Sequence, residues 1–208
     1  KTAYEIGVRL VGSEMCIRDR CLLIIEILNS FIFGEKMPIK YFSYGSNMSA
    51  SYLRRIRNVE TSWSAVGKLR DYKFVMNMPG PNFVEPGFGN IIRRKGSIVE
   101  GMLHEISEDD FKRIVASEGE DYSVEEIMVE TSSKRELSKT LIYNSELSEL
   151  KTSRRYLKLI VKAAQENKLS IKYIKELSDK DSVYYPIISE FYSIVVYFWV
   201  KSRARKIK

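Results

Sequence analysis

Between residues 62 and 106 the sequence sets four β-favouring stretches one after another, at 62–69, 72–77, 90–94 and 98–106, with no segment between them that reads as a helix. Parallel strands need crossovers of a dozen or more residues, so these stretches pair as an antiparallel or mixed sheet. Further strands are expected at 39–43, 122–131 and 140–144, and helices at 49–55, 107–117, 153–167 and 171–177. The fold class is therefore α+β. Residues 79–87, with Pro79-Gly80-Pro81 and Pro86-Gly87, read as a turn-rich loop that forms one wall of a site.

The strand at 39–43 runs directly into Tyr44-Gly45-Ser46-Asn47. Gly45 is free to take the positive φ of a sharp turn, and Ser46 and Asn47 are short side chains that cap turns or helix starts. Helical spacing then begins at Met48. A strand, a tight polar loop and a helix start place unpaired amides together, an arrangement suited to an anion such as a carboxylate. Taken alone, such a tetrapeptide is more often a capping turn.

A second constellation closes the helix at 107–117. Ser107 is its N-cap, acids fill its first turn, and Phe111, Ile114 and Val115 share one face. Glu118-Gly119 follows, with Gly119 as the residue beyond the helix end, so Glu118 is held in place just before Tyr122 opens a strand. A glutamate before a glycine is usually an exposed helix-end residue, and a lone tyrosine at a strand start is usually core or rim.

Together these elements resemble the γ-glutamylcyclotransferase family, which carries a Tyr-Gly-Ser-Asn loop after its first strand and a catalytic glutamate in a Glu-Gly pair. Leu69-Arg70-Asp71-Tyr72-Lys73 is similar to a further family segment, as are Val99-Glu100-Gly101-Met102 and the paired stretches around Tyr156-Leu157 and Ala163-Ala164 through Tyr173. The likeness spans residues 37–177. Three positions depart from the family pattern: Glu100 replaces an aromatic, Ala163-Ala164 replaces Gly-Ala, and Lys168-Leu169-Ser170 replaces Gly-Leu-Pro. The resemblance implies a small mixed or antiparallel β-barrel flanked by helices.

It also implies a reaction. A γ-glutamyl amide cyclises when its own α-amine attacks its γ-carbonyl, giving 5-oxoproline and a free amine or amino acid. Glu118 is the expected catalytic residue, a general base and then an acid. Burial beside Val115 and Phe111 is expected to raise its pKa toward the working range. Tyr44, Gly45, Ser46, Asn47 and Tyr122 are the expected substrate-binding residues, the loop through its amides and the tyrosines by orienting substrate or Glu118. Glu120 and Asp121 are the alternative bases. A same-fold enzyme for another γ-glutamyl amide, such as γ-glutamyl-ε-lysine, and a non-catalytic binding protein are the rival readings. An intact Glu118 speaks against the second rival.

Composition narrows the remaining classes. The chain has 208 residues and a formal charge of +7, of which the last eight residues, with five basic and no acidic side chains, supply most. The domain between the two ends is close to neutral, and aromatics are not interleaved with the basic tail, so a nucleic-acid partner is not expected. Cys16 and Cys21 lie upstream of the domain and His104 is the single histidine, so no metal or other cofactor is called for. His104 reads as a structural or surface residue.

Val11-Gly12-Ser13-Glu14-Met15-Cys16-Ile17-Arg18-Asp19-Arg20 resembles a translated sequencing adapter and is set aside, with Met37 read as the natural start. The domain reading is thus an extraneous extension at 1–36, a catalytic domain at 37–177 and a C-terminal extension at 178–208. The apolar run at 183–200 contains Pro186 and Glu190, which favours a docking strand or a mistranslated extension over a membrane span. A small-molecule γ-glutamyl substrate, a cytoplasmic setting and compatibility with a homodimer complete the expectations.

Overall fold

The computed structural model describes residues 37–119, 121–144 and 147–205. The adapter-like segment and both cysteines lie outside these, as does Glu120. From Pro38 onward the chain forms one unit.

Five strands close a barrel in the order β1 (Ile39–Ser43), β3 (Glu85–Ile106), β2 (Trp63–Asn82), β4 (Tyr122–Glu130) and β5 (Arg135–Tyr143). Every pairing is antiparallel except the seam, where β1 meets β5 in parallel through Tyr41 and Lys139. The sheet is thus mixed and closed, and α+β is the fold class. The four stretches between 62 and 106 merge into two long strands. The expected loop at 79–87 is the tip of their hairpin, with pairing as far as Asn82 and Glu85 and register shifts near Met76 and Pro79. Prolines there sit where the ladder is already irregular, one of the places a strand tolerates them.

Phe42, Leu103, Ile91, Met76 and Val129 fill the barrel, and helix α2 (Arg154–Glu166) closes one end with Tyr156, Leu157 and Ile160. Close approach of β3 to β1 requires Gly101, because a Cβ there would stand 2.3 Å from the Ser43 carbonyl oxygen. Helix α1 (Glu108–Glu118) buries Phe111 and Ile114 in a second apolar cluster with Tyr41, Leu53 and Ile106. Its N-cap is Ser107, whose Oγ accepts from the Asp110 amide at 3.0 Å.

The three departures from the family pattern have local explanations. Helix α2 ends in a Schellman turn, with Leu169 N donating to Ala164 O and Lys168 N to Gln165 O, which sets Lys168 at φ 56, a left-handed conformation that glycine adopts more cheaply. Helix α3 (Ile171–Ser178) starts at Ser170, whose Oγ accepts from Tyr173 N and whose own N–H donates to Glu100 Oε2 at 2.8 Å. Glu100 therefore caps a helix that a proline at position 170 could not offer a donor to. Ala163 and Ala164 are fully buried small residues under the barrel end.

Two short strands, β6 (Thr152–Ser153) and β7 (Ser182–Val183), pair in parallel. Beyond them the apolar run forms a helix, α4 (Ile188–Arg205), where a docking strand or a mistranslated extension was expected. The reason is periodic: Ser189, Ser193 and Val196 recur at helical spacing and face the body of the protein, and α4 packs against α1 and the Leu53–Arg57 turn. Among the described residues no helix is long and apolar enough to cross a membrane.

Candidate active site

The expected helix at 49–55 is a succession of three turns: a 3-10 turn at Ser46–Met48, one α turn at Ala50–Tyr52 and a π turn at Leu53–Arg57, ended by Asn58 at φ 54. Capping falls to Ser49, whose Oγ accepts from Tyr52 N at 3.3 Å. Ser46 and Asn47 do not cap. Gly45 stands at φ −116, so its need for glycine is steric: a Cβ would lie 3.2 Å from the Tyr156 hydroxyl.

Asn47 is instead turned inward. Its Nδ2 donates to Tyr41 Oη at 3.1 Å and to Glu118 Oε1 at 2.9 Å. His104, wholly buried on β3, holds the Asn47 backbone from behind: Nε2 donates to the Asn47 carbonyl at 3.1 Å, and Nδ1 accepts from Ser64 Oγ at 2.8 Å. This arrangement uses the neutral imidazole. Burial pulls its pKa from 6.5 down to about 4, with the bond to Asn47 opposing. His104 is thus structural, as one of its two sequence readings had it.

The π turn brings in a residue the sequence reading missed. Arg57 Nη2 lies 2.6 Å from Glu118 Oε1, and Nη1 donates to Ser117 Oγ at 2.5 Å. Burial works most strongly against the Arg57 charge, but the Glu118 carboxylate together with Tyr52 and Tyr41 holds the guanidinium above its ordinary value. The signal was present: Arg57 follows Leu53 and Ile56 at apolar spacing, so a helical turn that buries those two also turns the arginine inward. Glu118 has a polar setting, since Phe111 and Ile114 face the core beneath α1 and Glu118 Oε1 takes both Asn47 and Arg57. Among the described residues Oε2 has no hydrogen-bond donor.

A cavity of about 160 Å³ opens over this cluster. Tyr44, Gly45, Ser46, Asn47, Glu118 and Tyr122 all line it, together with Tyr41, Arg57, Met78, Phe88 and Tyr156. Met78 and Phe88 come from the two arms of the β2–β3 hairpin, but none of residues 79–87, the loop expected to form a wall, lines the cavity. Val196 and Trp199 of α4 reach its edge. Asp121 is exposed and does not line it.

Neither expected tyrosine hydrogen-bonds to Glu118. Tyr44 Oη donates to the Leu141 carbonyl at 2.5 Å, and Tyr122 Oη donates to Met78 Sδ at 2.7 Å. Tyr156 Oη accepts from Gly89 N at 3.3 Å, with no acceptor for its own proton among the described residues. Burial, with the charge of Glu118 adding, pushes the hydroxyls of Tyr41, Tyr44, Tyr122 and Tyr156 well up, so they remain neutral donors. Among the described residues no cluster of His, Cys, Asp and Glu is arranged to hold a metal ion.

A solved structure titled gamma-glutamyl cyclotransferase superposes with a TM-score of 0.64 at 20% identity, over 74% of this chain and 97% of that one. The human protein loc79017 gives 0.62 at 22% identity, over 76% and 98%. The chain carries the γ-glutamylcyclotransferase-like fold. In agreement, the sequence pattern of the AIG2-like family matches residues 98–177, from the second half of β3 through α3. That span includes Glu118 and Tyr122, whereas the Tyr44–Asn47 loop enters the γ-glutamylcyclotransferase-like fold from outside it. YkqA from Bacillus subtilis shares the fold at a TM-score of 0.58 and 16% identity, over 74% of this chain and 60% of its own. No curated protein matches the chain by sequence.

Proposed function

We propose that the protein is a γ-glutamylcyclotransferase, converting a γ-glutamyl amide to 5-oxoproline and a free amine. The observation that carries this reading is the asymmetric Glu118 carboxylate: Oε1 is fixed by Asn47 and Arg57, Oε2 has no donor among the described residues, and the side chain lines the same cavity as the Tyr44–Asn47 loop.

The substrate carries both reactive groups, so a cavity that holds it curled supplies much of the rate. Effective molarities of well-oriented intramolecular attack reach about 10⁵ M or more. The α-amine, with a reference pKa of about 8, must shed a proton before it attacks, and the leaving nitrogen must gain one. Glu118 Oε2 takes the proton from the attacking amine. The new C–N bond forms at the γ-carbonyl, and the oxyanion is held by donors around the loop, among them the Tyr156 hydroxyl. Glu118 then returns the proton to the leaving nitrogen as the old C–N bond breaks. Across the reaction the α-nitrogen loses two protons, one shed to solvent before attack and one passed through Glu118 to the departing nitrogen, which takes up a further proton from solvent and leaves as an ammonium ion. Arg57 and Asn47 keep the carboxylate aimed throughout.

The test is 5-oxoproline release from γ-glutamyl-alanine by the full chain and by Glu118→Gln. Release that the substitution abolishes supports both the reaction and the role of Glu118. No release from folded wild-type protein, with this substrate and with γ-glutamyl-ε-lysine, would turn the reading toward a binding protein on the same fold.

A further inference from the structure

Helix α2 breaks two local electrostatic rules. Its first turn, where the helix dipole favours acids, holds Arg154 and Arg155 and no acid. Arg154, Lys158 and Lys162 then recur four residues apart, an arrangement of like charges that weakens a helix. Little of this charge is compensated along the helix. Lys162 has Glu166 at 3.7 Å, Arg155 reaches back to Glu85 at 2.7 Å, and Arg154 lies 4.5 Å from the centroid of the Tyr184 ring. Neither Lys158 nor Arg55, across from it on the π turn, has an acidic partner among the described residues. Local rules broken without local compensation mark functional surfaces.

These five cations line one cavity of about 490 Å³, whose only acidic wall residue among those described is Glu190. It adjoins the Glu118 cavity, with Tyr52, Arg155, Leu159 and Val196 lining both. The inner cavity is the smaller and suits a compact head group, and the outer one is the neighbouring space for whatever is attached to that head group. The rest of the domain is close to neutral, so this concentration of charge does not follow from composition. Cations around a concave, partly apolar wall focus the field into the cavity.

We propose that the outer cavity binds the amine side of the substrate and selects γ-glutamyl amides whose leaving amine carries additional carboxylates, an acidic amino acid or an acidic peptide. Spaced, separate cations along a helix match several carboxylates in succession. The inference rests on the cyclotransfer reading for the placement of the γ-glutamyl head.

The experiment measures binding by calorimetry to the full chain carrying Glu118→Gln, so that affinity is read without turnover. The probes are γ-glutamyl-aspartate, γ-glutamyl-alanine and γ-glutamyl-lysine, each at about 0.02 M and about 0.5 M salt, which spans weak to strong screening. The aspartyl compound is expected to bind about tenfold more tightly than the alanyl one at low salt, the lysyl compound more weakly than either, and high salt to compress the series. Adding Arg55→Glu and Lys158→Glu, both at exposed positions, inverts the order. Equal affinities, a series indifferent to salt, or no binding of any probe overturns the proposal. Wild-type 5-oxoproline release from the same compounds is scored separately: an ordered binding series without product sinks the cyclotransfer reading and leaves the acidic-ligand cavity standing.

Discussion

Arg57 and Glu118, brought together from a π turn and a helix end, form an ion pair of 2.6 Å in which the arginine is almost wholly buried and the glutamate faces a cavity. A buried charge that loses its partner is expensive, so the pair must act as a unit. Arg57→Leu is expected to cost about 2–3 kcal/mol in urea unfolding, less than for a fully buried pair because Glu118 keeps access to water. In a double-mutant cycle with Glu118→Gln the coupling is expected at about 1–2 kcal/mol. Additive losses would mean that the two side chains are neighbours without being partners.

Asn47 joins the Tyr41 hydroxyl to the same carboxylate oxygen. Asn47→Leu is expected to lower 5-oxoproline release about 10–100-fold, because Glu118 loses one of its two anchors and Tyr41 its donor. Unchanged turnover in a folded variant would remove Asn47 from the site's machinery.

His104 makes stability depend on acid. Above pH about 6.5 the imidazole is neutral in both folded and unfolded chains and adds no pH dependence. As pH falls from there to about 4, only the unfolded chain takes up the proton, so the folded state loses stability. Below that both forms are protonated, and the loss is complete at about 3 kcal/mol. Urea midpoints of wild type and His104→Gln, measured from pH 7 to pH 4, are expected to converge as the acid range is entered. Parallel curves would show that His104 titrates normally.

Lys168 holds a left-handed conformation at the end of α2. Lys168→Gly relieves that strain and is expected to raise stability by about 0.5–1 kcal/mol, read as a higher melting temperature. A lower one would indicate that the lysine side chain contributes more than its backbone costs.

Glu100 and Ser170 are coupled through one hydrogen bond. Ser170→Pro is expected to cost about 2–3 kcal/mol in the wild type, where it removes a cap and takes the donor from Glu100 Oε2, leaving the buried carboxylate only Lys68 at 3.7 Å, and about 1 kcal/mol in a Glu100→Leu background, where only the cap is lost. Equal costs in the two backgrounds, measured by urea unfolding, would dissolve the link.

Much of this molecule was legible in one dimension. The strand-dense stretch from 62 to 106 excluded crossover helices, and local rules placed Ser107 at a helix start and Gly119, at φ 108, beyond its end. The six proposed site residues were picked from short motifs, and all six line one cavity. What local pattern could not reach were relations between distant segments. That Asn47 grips Glu118, that Arg57 belongs to the site and that His104 braces the loop all depend on contacts spanning about sixty residues or more of chain. The apolar C-terminal run was misjudged because hydrophobicity alone does not distinguish a strand from a helix whose neighbours accept one of its faces. Sequence by itself determined the elements and their caps, since those follow from backbone sterics and hydrogen bonding within a few residues. The tertiary structure alone decided the barrel's closure, the partner of each buried charge and the adjacency of the two cavities, because these are set by which surfaces exclude water together.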